Sequence, residues 1–185
     1  MKNGKLLIQP TSTECIININ SIALFLDSID FIILYERQDS GVMPAGKRFL
    51  QLITFMGCSP HIRFEPRDAD DDDYCFIRIL EYEHPRLLRS QNSRTPGCPH
   101  CRKPAVADWS LLENPQKTTL SCQHCGALSR PEELRWNNDA GMARLFIEIN
   151  SIFPGEAQPV ESLMQHLQKE TGCEWRYFYL LQEKG

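Results

Sequence analysis

The sequence predicts an α+β fold, with a mixed or antiparallel sheet and two or three helices, that is interrupted by an inserted segment. Short β-rich stretches and amphipathic stretches alternate in residues 1–83 and again in residues 131–185. Residues 84–130 contain no helical pattern of useful length and are basic, whereas both flanks are acidic. We therefore expect residues 1–83 and 131–185 to form one domain, residues 84–95 a linker and residues 96–130 an insertion.

The flank that precedes the insertion predicts two helices between short strands. The first helix, over residues 20–29, begins at Asn20 or Ser21, whose side chains can cap it. Apolar residues at helical spacing, followed by Gly57, predict the second helix over residues 45–57. Strands are predicted at residues 5–9, 30–36, 61–66 and 74–82. The acidic run at 67–73 lacks the spaced ligands of a calcium loop and predicts a flexible surface loop.

The flank that follows the insertion predicts a strand, a helix and a strand. Alternation over residues 142–150 predicts a strand with one apolar face and a wetter face that carries Arg144 and Glu148. The next apolar stripe predicts a helix with Pro159 as its first residue and Gly172 as its end. An aromatic-rich strand is predicted at residues 173–181.

Two C-x2-C pairs, in "CPHC" and "CQHC", dominate the inserted segment. Each short pair predicts a tight knuckle whose two thiolates point the same way, and two such knuckles can close a tetrahedron around a metal ion. Two short strands, in "AVADWSL" and "KTTLS", would join as a hairpin through "ENPQ". A thioredoxin-like redox pair would leave the second C-x2-C unexplained, while a rubredoxin-like iron site uses the same four thiolates and stays an alternative.

This stretch, within residues 96–130, resembles the zinc ribbon module. The resemblance implies that one structural Zn²⁺ is bound by Cys98, Cys101, Cys122 and Cys125, with no position open to water. Arg102 stands where a glycine often follows the first knuckle, which is expected to weaken the knuckle geometry slightly. The resemblance also implies a surface that binds protein or nucleic acid.

The other four cysteines are expected to pack as thiols. The sequence shows no signal peptide and no membrane-spanning run, so we expect a cytoplasmic protein in which thiols stay reduced. Cys15, Cys58, Cys75 and Cys173 all lie beside apolar runs, which favours burial. His61 follows Cys58 closely, and a nucleophilic site at this pair is the hypothesis under which the protein would be an enzyme.

The basic stretch at residues 84–103 raises the hypothesis of an anion or nucleic-acid contact. Its cations are Arg86, Arg89, Arg94, Arg102 and Lys103. The whole chain is nevertheless acidic, with a net charge of −4, which is unlike most nucleic-acid-binding proteins. A solvated linker explains the same residues without a ligand.

No nucleotide-binding glycine loop, Ser-His-Asp pattern or H-E-x-x-H motif occurs in the sequence. We therefore favour a non-enzymatic, zinc-binding protein whose ribbon and nearby loops bind a macromolecular partner. A protein partner is the first hypothesis, nucleic acid the second and an enzyme around Cys58 and His61 the third. No contact with a membrane is expected, and the sequence predicts no oligomeric state.

Overall fold

The predicted α+β class is confirmed by a computed structural model, which describes residues 3–34, 41–56, 62–68, 71–113 and 119–182. The strands are Asn3–Pro10 (β1), Ile53–Phe55 (β2), Ile77–Arg89 (β3), Leu120–Ser121 (β4), Leu128–Ser129 (β5), Ala140–Asn150 (β6), Ala157–Pro159 (β7) and Trp175–Gln182 (β8). The helices are Ile19–Ser28 (α1), Phe49–Leu52 (α2) and Glu161–Thr171 (α3). None of the helices in the described part is long and apolar enough to cross a membrane.

The main sheet has four antiparallel strands in the order β3-β6-β1-β8. Leu6 of β1 lies opposite Ile149 of β6 on one side and Tyr179 of β8 on the other. Both flanks of the inserted segment thus contribute strands to one sheet. The strands predicted at residues 5–9, 142–150 and 173–181 are confirmed as parts of β1, β6 and β8.

One face of this sheet packs against helices α1 and α3. The apolar side chains that meet there come from all four strands and from both helices, and they include Leu6, Ile147, Ile22, Leu26, Leu163 and Leu167. Helix α1 begins after Asn18, whose side chain accepts a hydrogen bond from the Ser21 N–H, so the cap lies two or three residues before the predicted Asn20 or Ser21. Helix α3 ends at Gly172 in the left-handed conformation, as predicted. It begins only after Val160, because Pro159 belongs to β7.

The other face of the sheet is covered by the C-terminal part of β3 and the N-terminal part of β6, which pair with each other. The β3–β6 register shifts between Glu81 and Arg86, where Pro85, which has no N–H to donate, fits a bulge. Beyond the bulge, Leu88 and Ala143 join Leu7 and Phe178 in a second core cluster. The wetter face predicted for the 142–150 strand is therefore wrong, because this covering buries β6 on both sides.

The far end of the β3–β6 pair reaches the outer edge of β8. The N–H of Tyr179 donates to the carbonyl of Asn138 at 2.8 Å, and the N–H of Leu181 donates to the Ser90 hydroxyl at 3.0 Å. Because Arg89 pairs with Ala140, the inserted segment is the connection between two adjacent antiparallel strands. Residues 84–89, predicted as part of a linker, belong to β3 instead.

Three further sequence predictions are wrong in the described residues. The helix predicted over 45–57 is reduced to the single turn α2, because Ile53 and the residues after it pair with β7 as strand β2. The stretch 30–34 holds only an isolated bridge, between Ile32 and Ala45, and residues 62–66 form no strand. In the first case, helical apolar spacing around Ile53 gave way to pairing with β7.

Cys15 and Cys173 are joined by a disulfide, which contradicts the prediction of packed thiols. Strands β1 and β8 are antiparallel neighbours, so the chain leaving β1 runs beside the chain entering β8, and the N–H of Thr11 donates to the carbonyl of Glu174 at 2.8 Å. This places the two cysteines together, with their Cα atoms 6.4 Å apart, although 158 residues separate them in sequence. Cys75, in contrast, is a buried free thiol as predicted, and burial raises its pKa to about 12.

In the described part of the acidic run, residues 67, 68 and 71–73, Asp71 is held by several hydrogen bonds. Its carboxylate accepts a hydrogen bond from the Arg63 guanidinium at 2.6 Å, and others from the N–H groups of Arg67 and Asp73. The hydrogen bond from Arg63 is the main reason that the pKa of Asp71 is well below its usual range, and the Arg67 N–H lowers it further. The arginine partner comes from the neighbouring segment and not from the predicted linker.

Candidate metal centre

The four cysteines of the inserted segment converge on one point. The sulfur atoms of Cys98, Cys101, Cys122 and Cys125 all lie within 4.8 Å of one another. The Cys98–Cys125 and Cys101–Cys122 sulfur pairs are 3.8 and 3.7 Å apart. A tetrahedron with metal–sulfur bonds of about 2.3 Å requires sulfur–sulfur distances of about 3.8 Å. The four thiolates therefore fit a single tetrahedral metal ion.

Each C-x2-C pair is held by the same set of backbone hydrogen bonds. In the first knuckle, the N–H of Cys98 donates to Lys103 O, the N–H of Arg102 donates to Cys98 O, and the N–H of His100 points at Cys98 Sγ at 3.4 Å. In the second knuckle, the corresponding bonds run from Cys122 to Ala127 O, from Gly126 to Cys122 O and from His124 to Cys122 Sγ, again at 3.4 Å. The two ligand pairs are thus presented by one repeated turn, as the spacing predicts.

The residue after each knuckle has a left-handed backbone conformation. Gly126 has φ 72° and Arg102 has φ 64°. Glycine adopts this conformation freely, whereas a residue with a Cβ is strained there. Arg102 therefore preserves the knuckle geometry instead of weakening it, and it does so at a cost in backbone energy.

Backbone N–H groups already favour the thiolate form at one position. The N–H groups of His124 and Cys125 lower the pKa of Cys122 to about 6. The N–H of Ala127 lowers the pKa of Cys125, but burial and the three neighbouring sulfurs raise it more, to about 11. Four negative sulfurs this close would repel one another, so full ionisation of the cluster requires a cation at its centre.

A small apolar core supports the centre from behind. Cys98 and Cys122 are buried there with Val106, Leu112 and Leu120. The hairpin beside the second knuckle is formed by β4 and β5. The predicted strand over "AVADWSL" is wrong, since Trp109–Leu111 form a single turn of 3-10 helix, with Asp108 as its cap. Of the second predicted strand, "KTTLS", residues 120–121 form β4, while its residues 117–118 and residues 114–116 of "ENPQ" lie outside the described residues.

The inserted segment that carries the four cysteines, called the ribbon from here on, also packs against the main sheet. Leu87 of β3 packs against the apolar core of the ribbon, and the Arg89 guanidinium lies 5.2 Å from the centre of the Trp109 ring, which stacks on Trp136. Arg176 of β8 donates to the carbonyls of Ala140 and Asn137, and burial lowers its pKa to about 10. Tryptophan stacking and hydrogen bonds across the chain thus fix the ribbon relative to β3, β6 and β8.

The predicted anion-contact residues divide into two groups by their contacts. Arg86 lies over the ring of Tyr82 at the bulge, and Arg89 lies over Trp109, so both stack on aromatic rings. Arg94, Arg102 and Lys103 are exposed on the ribbon. Their neighbour Arg135 was missed by the sequence analysis, because only the pairing of residue 135 with Gly97 brings it there. No periodic or motif signal marks that pairing.

His100 and His124 lie inside the knuckles with exposed side chains, and the four sulfurs come together without them. Cys58 and His61, the proposed nucleophilic pair, lie outside the described residues. Within the described residues, the cysteine cluster is the one group of metal-ligating side chains close enough to hold an ion. Comparison with models of protein families, with curated proteins and with solved structures found no match.

Proposed function

We propose that the protein binds one structural Zn²⁺ at Cys98, Cys101, Cys122 and Cys125 and uses the ribbon so formed to bind a partner protein. The observation that supports this most strongly is the set of four sulfurs at tetrahedral spacing. Four thiolates fill the coordination shell of zinc and leave no site for a catalytic water. A closed site of this kind stabilises the surface around it and performs no chemistry itself.

Zinc fits the surroundings of the site better than an iron centre for electron transfer. The ribbon has a minimal apolar core, in which two of the seven buried residues are the ligands Cys98 and Cys122. A domain with so little core depends on its metal for folding, and structural zinc supplies about 10–16 kcal/mol of apparent free energy in small peptides. The metal ion therefore acts mainly by holding the two knuckles together.

The position of the ribbon supports a role in recognition. It lies at the far end of the β3–β6 pair, and both of its knuckles present exposed side chains, among them His100 and His124. Leu128 on β5 is 68% exposed and adds an apolar side chain to this surface. The fastening at Arg89, Trp109 and Arg176 keeps this surface in a fixed orientation, which lowers the entropic cost of binding.

The test is affinity capture with matched variants, read by quantitative mass spectrometry. Cys98→Ser/Cys122→Ser removes one ligand from each knuckle, and Arg67→Gln changes an exposed residue outside the ribbon. We expect one set of proteins to be retained by the wild type and by Arg67→Gln and lost by the double variant. Equal capture by all three proteins would show that the ribbon is not the binding surface.

A further inference from the structure

Four exposed cations come together on the ribbon because three backbone segments lie side by side. Gly97 exchanges hydrogen bonds of 2.9 and 2.8 Å with Arg135, and it also bridges to Pro104, beside Lys103. A Cβ on Gly97 would lie 3.5 Å from both the Arg102 carbonyl and the Arg135 Cβ. The side chain of Asn137 donates to the carbonyl of Arg94 at 3.0 Å, which ties the fourth cation to the same place. We refer to Arg94, Arg102, Lys103 and Arg135 as the Gly97 patch.

The Gly97 patch has no carboxylate partner within the part of the chain that the structure describes. Two carboxylates of the segment that leads to Arg135 are engaged elsewhere: Glu132 and Glu133 both pair with Arg130, at 3.3 and 3.4 Å. Asp108 accepts hydrogen bonds from the N–H and the hydroxyl of Ser110. Four cations that neighbour one another without a counter-charge repel, so an anion bound among them would lower the free energy of the whole group.

Arg102 provides a second, independent reason to assign a ligand to this patch. It has φ 64° at the position where the other knuckle has Gly126, although its exposed side chain covers no core residue. Stability alone would favour glycine at such a position. Strained residues of this kind cluster at functional sites, which points to a role for the guanidinium group itself.

We infer that the Gly97 patch binds an acidic, extended segment of the partner protein through its carboxylates. Three arginines provide planar guanidinium groups that can each hold a carboxylate with two parallel hydrogen bonds. Gly97, which carries no side chain, lies between Arg102 and Arg135, and a Cβ there would touch both residues at 3.5 Å. The inference rests on the proposed function, since the metal fixes the knuckle that carries Arg102 and Lys103.

Two observations favour an acidic peptide over nucleic acid. The described residues between β3 and β6 carry as many carboxylates as cations, so no long positive track follows the ribbon as a phosphate backbone would require. The indole N–H groups of Trp109 and Trp136 donate to Ser93 O and Pro131 O, and the two rings face each other, so they form no platform for bases.

The test measures fluorescence anisotropy of a labelled peptide of alternating glutamate and serine with the metal-loaded full-length protein. The variants are Arg102→Gly, which suits the left-handed backbone, and Arg135→Gln. Arg67→Gln is the matched control, because it removes an exposed arginine outside the ribbon. We expect the two patch variants combined to weaken peptide binding by about tenfold and the control to leave it unchanged. Metal content is measured for every protein.

Peptide affinity that is absent in the wild type, or equal in all metal-loaded variants, would overturn the inference. So would tighter binding of a single-stranded oligonucleotide that weakens steeply with salt, because that result assigns the patch to a phosphate backbone. Failure of the proposed function would appear separately, as a wild-type protein without bound metal.

Discussion

Arg102 and Gly126 occupy equivalent positions after the two knuckles, and both have a left-handed backbone, with φ of 64° and 72°. Each donates its N–H to the carbonyl of the first cysteine of its own pair. One knuckle thus carries glycine where the other carries a strained arginine, and this asymmetry in a repeated turn can be tested directly.

Replacing Arg102 with glycine should stabilise the protein. A left-handed conformation costs a residue with a Cβ about 1–2 kcal/mol, and glycine avoids this cost. Part of the resulting stabilisation is offset, because glycine has more conformational freedom in the unfolded chain. We expect Arg102→Gly to raise the free energy of unfolding of the ribbon by about 1 kcal/mol, measured by hydrogen exchange of its amides. Gly126→Ala should lower it by a similar amount. Destabilisation by Arg102→Gly would mean that the arginine side chain contributes to folding.

The Arg63–Asp71 pair should make stability fall in acid. The pKa of Asp71 is lowered in the folded protein, so its contribution is fully present above the pKa of the unfolded carboxyl, about 3.9, and is lost as the pH falls below that value. Asp71→Asn should therefore lower stability at neutral pH and flatten the dependence of the melting temperature on pH below about pH 4. Glu65→Gln, at an exposed neighbouring carboxylate, is the control and should keep the wild-type profile. Identical profiles for wild type and Asp71→Asn would show that the ion pair contributes nothing.

The Cys15–Cys173 disulfide should be a large contributor to stability. It closes a loop over a sequence separation of 158 residues, for which the chain-entropy model gives a stabilisation of about 5 kcal/mol. We expect Cys15→Ala/Cys173→Ala to unfold at a clearly lower urea concentration than the oxidised wild type. Mild reductant should lower the wild-type midpoint and leave that of the variant unchanged. A reductant effect that is equal in both proteins would place the sensitive thiols elsewhere.

The sequence predicted that the four cysteines come together, because they occur in two local pairs. A C-x2-C knuckle is determined by a handful of backbone bonds between near neighbours, and Cys98 and Cys122 show the same set. Strands β1, β6 and β8 were predicted for a related reason, since a local pattern marks each of them: a short apolar run in β1, alternation in β6 and aromatic residues in β8. Features that depend on distant partners were missed.

Three misses illustrate that dependence on distant partners. Ile53 has helical spacing to its neighbours, yet it pairs with Pro159 as part of β2. Cys15 meets Cys173 only because β1 and β8 are adjacent in the sheet. The register of β3 and β6 shifts after Glu81, and the two strands stay paired beyond this bulge. Residues 84–89, which were predicted as a linker, are therefore part of β3. In each case the deciding contact is made by a residue that is remote in sequence.

Loss of the metal should unfold the ribbon and spare most of the main sheet. In Cys98→Ser/Cys122→Ser, we expect fast hydrogen exchange in the ribbon and at the end of β3, because Leu87 packs on the ribbon core and Arg89 on Trp109. Strands β1 and β8 should keep their protection, since their core does not include the ribbon. Gln123→Ser is the control. Loss of protection throughout β1 would show that the main sheet folds only with the metal.

The most direct test of the central claim is the metal content of the native protein, combined with X-ray absorption at the metal edge. We expect one zinc per chain in a colourless protein, with four sulfur ligands at about 2.3 Å. Cys98→Ser/Cys122→Ser should lose that zinc, and Gln123→Ser should retain it. A native protein that contains no metal, or a red one that contains iron at this site, would contradict the account.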